Sequence, residues 1–195
     1  MKSGNFPLLF IFGKKLGMKY RQIIFKYLLV TLLGFFLFIV DDQEFFNPML
    51  TTSLIVILAA LKSAYYVYFS YKKILEASRH EVMYHDFMLF MMVNISLVIF
   101  SFGLDYFCLN QVNPHNFVGI EKHLNTYELV FETWYFSVLN FSFFGYGQIM
   151  PTTIPGKLII VMEVIMSFVT LVFILSDFLS LKESISEHLK KKEQV

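Results

Sequence analysis

With 195 residues, 56% of them hydrophobic and 24 of them phenylalanine, and a mean hydropathy of +0.60, the chain carries more apolar surface than one soluble core of this length can bury. A net charge of +1 excludes the global basic field of a nucleic-acid binder. The single cysteine, Cys108, excludes an internal disulfide framework and a thiolate zinc site. The expected partner of such a chain is a lipid bilayer.

Residues 1–22 read as a cytoplasmic or interfacial N-terminal segment. The apolar run 7–12 is too short for a signal-peptide core and is followed by Lys14 and Lys15 rather than a small-residue cleavage site. Four stretches are long and apolar enough to cross about 30 Å of hydrocarbon: 23–40, 49–71, 87–109 and 158–181. The first two, with the loop that follows them, form an accessory unit over 23–86. Residues 125–151 are too interrupted to span, yet 130–144 is too apolar for an ordinary water-exposed loop. That segment is expected to dip in and return, which non-helical backbone tolerates only where it lines a cavity or is buried in protein. The expected fold is an all-α integral membrane protein with four transmembrane helices and a re-entrant helix and loop between the third and fourth.

Lysine and arginine set the expected orientation. Lys2, Lys14, Lys15, Lys19, Arg21 and Lys26 precede or enter the first span; Lys72, Lys73 and Arg79 follow the second; Lys182, Lys190, Lys191 and Lys192 follow the fourth. These clusters belong inside. Asp41, Asp42, Glu44, Asp105, Glu121, Glu128 and Glu132 fall on the other side, against Lys122 and Lys157. Both termini, including the basic tail 182–195, are therefore expected in the cytoplasm of a multi-pass protein of the plasma or inner membrane.

Within the re-entrant segment, Gly145-Tyr146-Gly147 carries the chemistry. Two glycines take backbone conformations that a side chain hinders, so successive carbonyls can turn toward one axis and replace a cation's water shell. Ahead of them, Asn125 and Glu128 have the spacing of a capping box, and Glu132 also lies toward the positive end of the helix dipole. Those residues serve a pore helix or, equally, an ordinary surface cap.

In order, spacing and membrane setting, 87–181 resembles the pore domain of tetrameric potassium channels, which run outer helix, pore helix, Thr-(Val/Ile)-Gly-Tyr-Gly-Asp filter, inner helix. Tyr135, Phe136, Ser137 and Val138 stand at the family's distance before Gly145-Tyr146-Gly147, and Pro151, Gly156 and Lys157 precede the inner helix. The resemblance implies a homotetramer whose filter is Ser142, Phe143, Phe144, Gly145, Tyr146 and Gly147. It implies K⁺ at the carbonyls of Phe143, Phe144, Gly145 and Tyr146, and no cofactor besides the permeant ion. Tyr135, Leu139, Gln148 and Glu163 would support the filter, and Phe168, Leu171, Leu175 and Leu179 would line the pore.

The departures from the family are specific. Phe143 replaces a Thr whose oxygens line the innermost site, and Phe144 replaces Val or Ile. Ser142 can supply a hydroxyl only with a change of register. Gln148 replaces the Asp that accepts from an aromatic donor, a position Tyr135 occupies here, so the two can form a neutral Tyr135–Gln148 bond. Leu139 stands where some members carry a buried Glu, Glu163 where some carry a Glu that braces the pore helix, and Ser167 where many have a hinge Gly.

Intramembrane charges cost about 2.5–3.5 kcal/mol on insertion scales. Lys62 is expected to pair with a neighbouring helix or to snorkel, and Asp177 to concentrate cations at the inner mouth or to sit at the interface. No arginine repeat suggests a voltage sensor. His115 and His123 flank the outer loop, His80, His85 and His188 read as solvated, and none has metal-cage spacing. The expected function is a potassium-selective channel subunit rather than an enzyme, for want of a nucleophile–base pair. The alternatives are a weakly selective cation channel, favoured by Phe143 and Gln148, and a non-conducting scaffold or regulatory subunit with a pore-like fold.

Overall fold

The computed structural model describes residues 47–78, 84–121, 123–145 and 147–193, and the side chains of these except 73–78, 84–90 and 176–193. The first span, 23–40, lies outside the described residues. In chain order the elements are α1 (Pro48–Ser78), α2 (Tyr84–Val112), a 3-10 turn (Pro114–Asn116), β1 (Phe117–Val118), α3 (Thr126–Phe141), β2 (Met150–Pro151) and α4 (Ile154–Glu193). Three of these helices contain stretches long and apolar enough to cross a membrane: Pro48–Lys72, Met91–Val112 and Ile154–Leu175. They are the second, third and fourth spans read from the sequence. Helix α4 runs on to Glu193, so most of the expected tail 182–195 continues the helix. The strands are an addition to the all-α expectation, a two-residue antiparallel ladder of Phe117 with Pro151 and Val118 with Met150.

The helix starts follow local chemistry. Asn47 accepts from the Met49 amide at 3.2 Å just before Pro48, whose missing N–H costs nothing in a first turn. The Thr153 hydroxyl accepts from the Gly156 amide, and Pro155 again lies in the first turn of α4. Asn125 accepts from the Glu128 amide at 2.9 Å while Glu128 accepts from the Asn125 amide at 2.9 Å. The capping box expected at α3 is complete.

Packing inverts the usual amphipathic pattern. The buried positions of α1 are Thr51, Ile55, Ala59, Lys62, Tyr66 and Ser70, spaced by three or four residues as one helix face requires. Met91, Asn94, Val98, Ser101 and Asp105 make the matching stripe on α2. Polar side chains turn inward because hydrocarbon offers them no partner and a neighbouring helix does. Ser70 accepts from Asn94 Nδ2 at 3.1 Å, and Ser101 Oγ accepts from Lys62 Nζ at 2.7 Å. Rising numbers on one helix meet falling numbers on the other, so α1 and α2 are antiparallel.

Helices α2 and α3 are antiparallel by the same reasoning. Ser137 Oγ lies 2.8 Å from the Ile99 carbonyl oxygen, and a Cβ on Gly103 would lie 3.0 Å from Trp134 Cα, so the glycine permits the close approach. Helices α3 and α4 instead run the same way, since Glu163 meets Ser137 and Ser167 meets the Phe141 carbonyl at one constant offset in sequence. The chain after α3 must therefore travel back along that helix, about 24 Å for its length, before α4 can begin. Residues 142–145 and 147–153 lie on that return, and the β1–β2 ladder fastens its far end to the segment ahead of α3. Beneath that ladder Tyr106, Phe117 and Phe136 pack as an aromatic cluster with centroids 5.0 to 5.9 Å apart.

Candidate ion-filter segment

The return segment is set by how α3 ends. The Phe143 amide donates to the Asn140 carbonyl at 3.2 Å and the Phe144 amide to the Leu139 carbonyl at 3.1 Å, the paired bonds of a Schellman motif. Such a motif needs a left-handed residue just past the helix, usually glycine. Here it is Phe143, at φ 60°. Gly145 also has positive φ, 79°, and Phe144 between them does not. Backbone whose φ alternates in sign lets successive carbonyls point toward the same side instead of opposite ones.

The surroundings hold this segment from one flank and leave the other open. A Cβ on Gly147 would lie 3.5 Å from a Leu139 methyl, whereas a Cβ on Gly145 would meet nothing within 4 Å. Phe143 and Phe144 are 47% and 81% exposed. The Ser142 hydroxyl donates back to the Val138 carbonyl at 2.7 Å, so it finishes the helix in the single chain. Tyr135 and Gln148 are both exposed, and no hydrogen bond joins them in the single chain. Tyr146 lies outside the described residues.

At the far end of the return, Gly119 has φ 93° and its Cβ position falls 1.9 Å from the Gln148 carbonyl oxygen. Only glycine fits there. Buried Asn116 ties three elements together: it donates to the Leu109 carbonyl at 2.7 Å, accepts from the Thr153 hydroxyl at 2.5 Å, and its own carbonyl accepts from the Thr152 amide at 2.9 Å.

Behind α3, Glu163 is fully buried. The Tyr106 hydroxyl donates to its Oε2 at 2.5 Å, and Ser137 Oγ donates to its Oε1. A carboxyl in this position is satisfied by protein donors on two other helices, so it joins α2, α3 and α4. Ser167, one turn along α4, donates to the Phe141 carbonyl. The Asn140 amide nitrogen on α3 is buried without a hydrogen-bond partner.

Lys62 forms an ion pair with Asp105, donates to Ser101 Oγ and to the Ser101 carbonyl at 3.2 Å, and lies 5.3 Å from the centroid of the Phe102 ring. It pairs and does not snorkel. Asp105, counted from the sequence with the outer charges, is buried against Lys62. Charge counting misses depth; the usable signal was that Asp105 shares a helix face with Asn94 and Ser101. Tyr106, Asn116 and Ser167 were not foreseen in these contacts either.

On α4, Phe168, Leu171 and Leu175 are exposed at 59%, 43% and 53%, forming an apolar face with no partner in the single chain. Leu179 and Asp177 lie where side chains are outside the description. Among the described residues no group of three or more His, Cys, Asp or Glu side chains could hold a metal ion. No family model, curated protein or solved structure matches the chain.

Proposed function

We propose that the chain is one subunit of a tetrameric, potassium-selective channel in which residues 142–147 of each copy supply one quarter of the filter. The observation that carries this reading is the return segment itself. It runs back beside α3 between two membrane-length helices, with positive φ at Phe143 and Gly145 and its Gly145 flank open. Irregular backbone at that depth needs a neighbour or a water-filled path to satisfy its carbonyls, and a ring of such strands gives a dehydrated cation the oxygens it loses. A heterologous contact repeated around an axis closes the ring. The exposed face of Phe168, Leu171 and Leu175 then becomes the lining below the filter.

A second reading, a weakly selective cation channel, draws on Phe143 and Phe144: bulky exposed side chains stand where the resembling channels place a hydroxyl and a small β-branched residue, and Gln148 removes a charge. A scaffold that does not conduct is the third. Purified protein in vesicles loaded with K⁺ tests all three. Potassium efflux that Na⁺ cannot replace supports the first, equal fluxes of both ions the second, and no flux above empty vesicles the third.

A further inference from the structure

Asp105 and Tyr106 are neighbours on α2, and adjacent helical side chains diverge by about 100°. Asp105 meets Lys62 of α1, while Tyr106 meets Glu163 of α4, whose other carboxyl oxygen meets Ser137 of α3. Two adjacent residues of α2 thus connect the accessory helix, by way of their shared backbone, to the helix that ends in the return segment. The pair is enclosed by protein: Lys62 is 6% and Asp105 8% exposed, both on stretches long and apolar enough to cross a membrane. For stability alone a buried ion pair has little advantage over apolar residues of equal volume, because desolvation offsets the attraction.

We propose that Lys62 and Asp105 are positioning residues for the ion pathway: through Tyr106 and Glu163 they fix the register of α3, so that α1 governs the geometry of the filter it does not touch. The inference rests on the channel reading. The pair fixes where the α2 backbone sits, by way of Asp105 and the two Ser101 acceptors, and Tyr106 carries that placement to Glu163. Loss of the pair lets α2 settle at a depth and rotation chosen by apolar packing, and the Glu163–Ser137 contact shifts with it.

The test separates positioning from support. Lys62→Met and Asp105→Leu alone each strand a buried charge and should prevent assembly, whereas the two together remove both charges and should yield a complex as heat-stable as the native one. In that double variant the K⁺ over Na⁺ permeability ratio should fall by about tenfold or more, the size of one displaced hydrogen bond to a charged group. A second pair, Lys62→Gln with Asp105→Asn, keeps the volume and hydrogen-bonding capacity without charge and should recover most of the native ratio. If the assembled Lys62→Met/Asp105→Leu variant keeps the native ratio, or the Lys62→Gln/Asp105→Asn pair loses it to the same extent, the positioning role is wrong and the pair only holds two helices together. If the native protein itself passes no K⁺, the channel reading fails first, and the inference with it.

Discussion

Phe143 holds a backbone conformation that its side chain disfavours. A left-handed non-glycine residue costs roughly 1–2 kcal/mol, and the Schellman bonds at the end of α3 keep it there. Phe143→Gly should therefore stabilise the folded assembly by about 1 kcal/mol, read as a rise in melting temperature. Phe143→Thr should lower it, because a β-branched residue fits positive φ worst. The Thr of the resembling channels thus cannot simply be restored here; it asks for a different backbone. A lower melting temperature for the Gly variant would mean that the ring makes contacts worth more than the strain. The two other positive-φ sites separate cleanly. Gly119→Ala places a methyl against the Gln148 carbonyl and should unfasten the β1–β2 ladder. Gly145→Ala meets nothing in its own chain, so any loss beyond about 1 kcal/mol of backbone strain must come from neighbouring copies. Comparing the two variants as assembled complexes and as dissociated chains checks this: Gly119→Ala should damage both, and Gly145→Ala chiefly the complex.

Among the elements, α3 was the most legible. Asn125 and Glu128 announced its start because a capping box depends on residues three apart and nothing distant. Asn125→Ala should cost about 1 kcal/mol, measured as a lower denaturation midpoint. The end of α3 was not legible, since nothing in a phenylalanine signals positive φ; only the paired bonds to Leu139 and Asn140 require it. The spans were legible from hydropathy, but their faces were not, because the outward residues of α1 and α2 are as apolar as the inward ones. The polar minority held the answer: Lys62, Tyr66 and Ser70 on one helix and Asn94, Ser101 and Asp105 on the other fall at helical spacing. The ladder of β1 and β2 escaped notice because two residues a side leave no alternating pattern. Glu163 was legible as a residue but not as a junction, which needed Tyr106 and Ser137 in space. Glu163→Leu strands the buried Tyr106 hydroxyl and should destabilise by about 1–3 kcal/mol. An unchanged melting temperature would mean that the hydroxyl finds another partner.

At the scale of the whole molecule, the three membrane-length helices among the described residues, the returning segment and the exposed apolar face on α4 are what the proposed ring would use. A lone chain would leave the Gly145 flank without oxygen-seeking partners or neighbours, and native mass measurement in detergent should find four chains. The most direct test is electrical. The purified protein is placed in a planar bilayer with K⁺ on one side and an equal concentration of Na⁺ on the other. A K⁺ filter requires unitary currents whose reversal potential is displaced far from zero in the direction set by K⁺, with Gly145→Ala abolishing the displacement. Currents that reverse at zero, or a silent bilayer from correctly assembled protein, would contradict it.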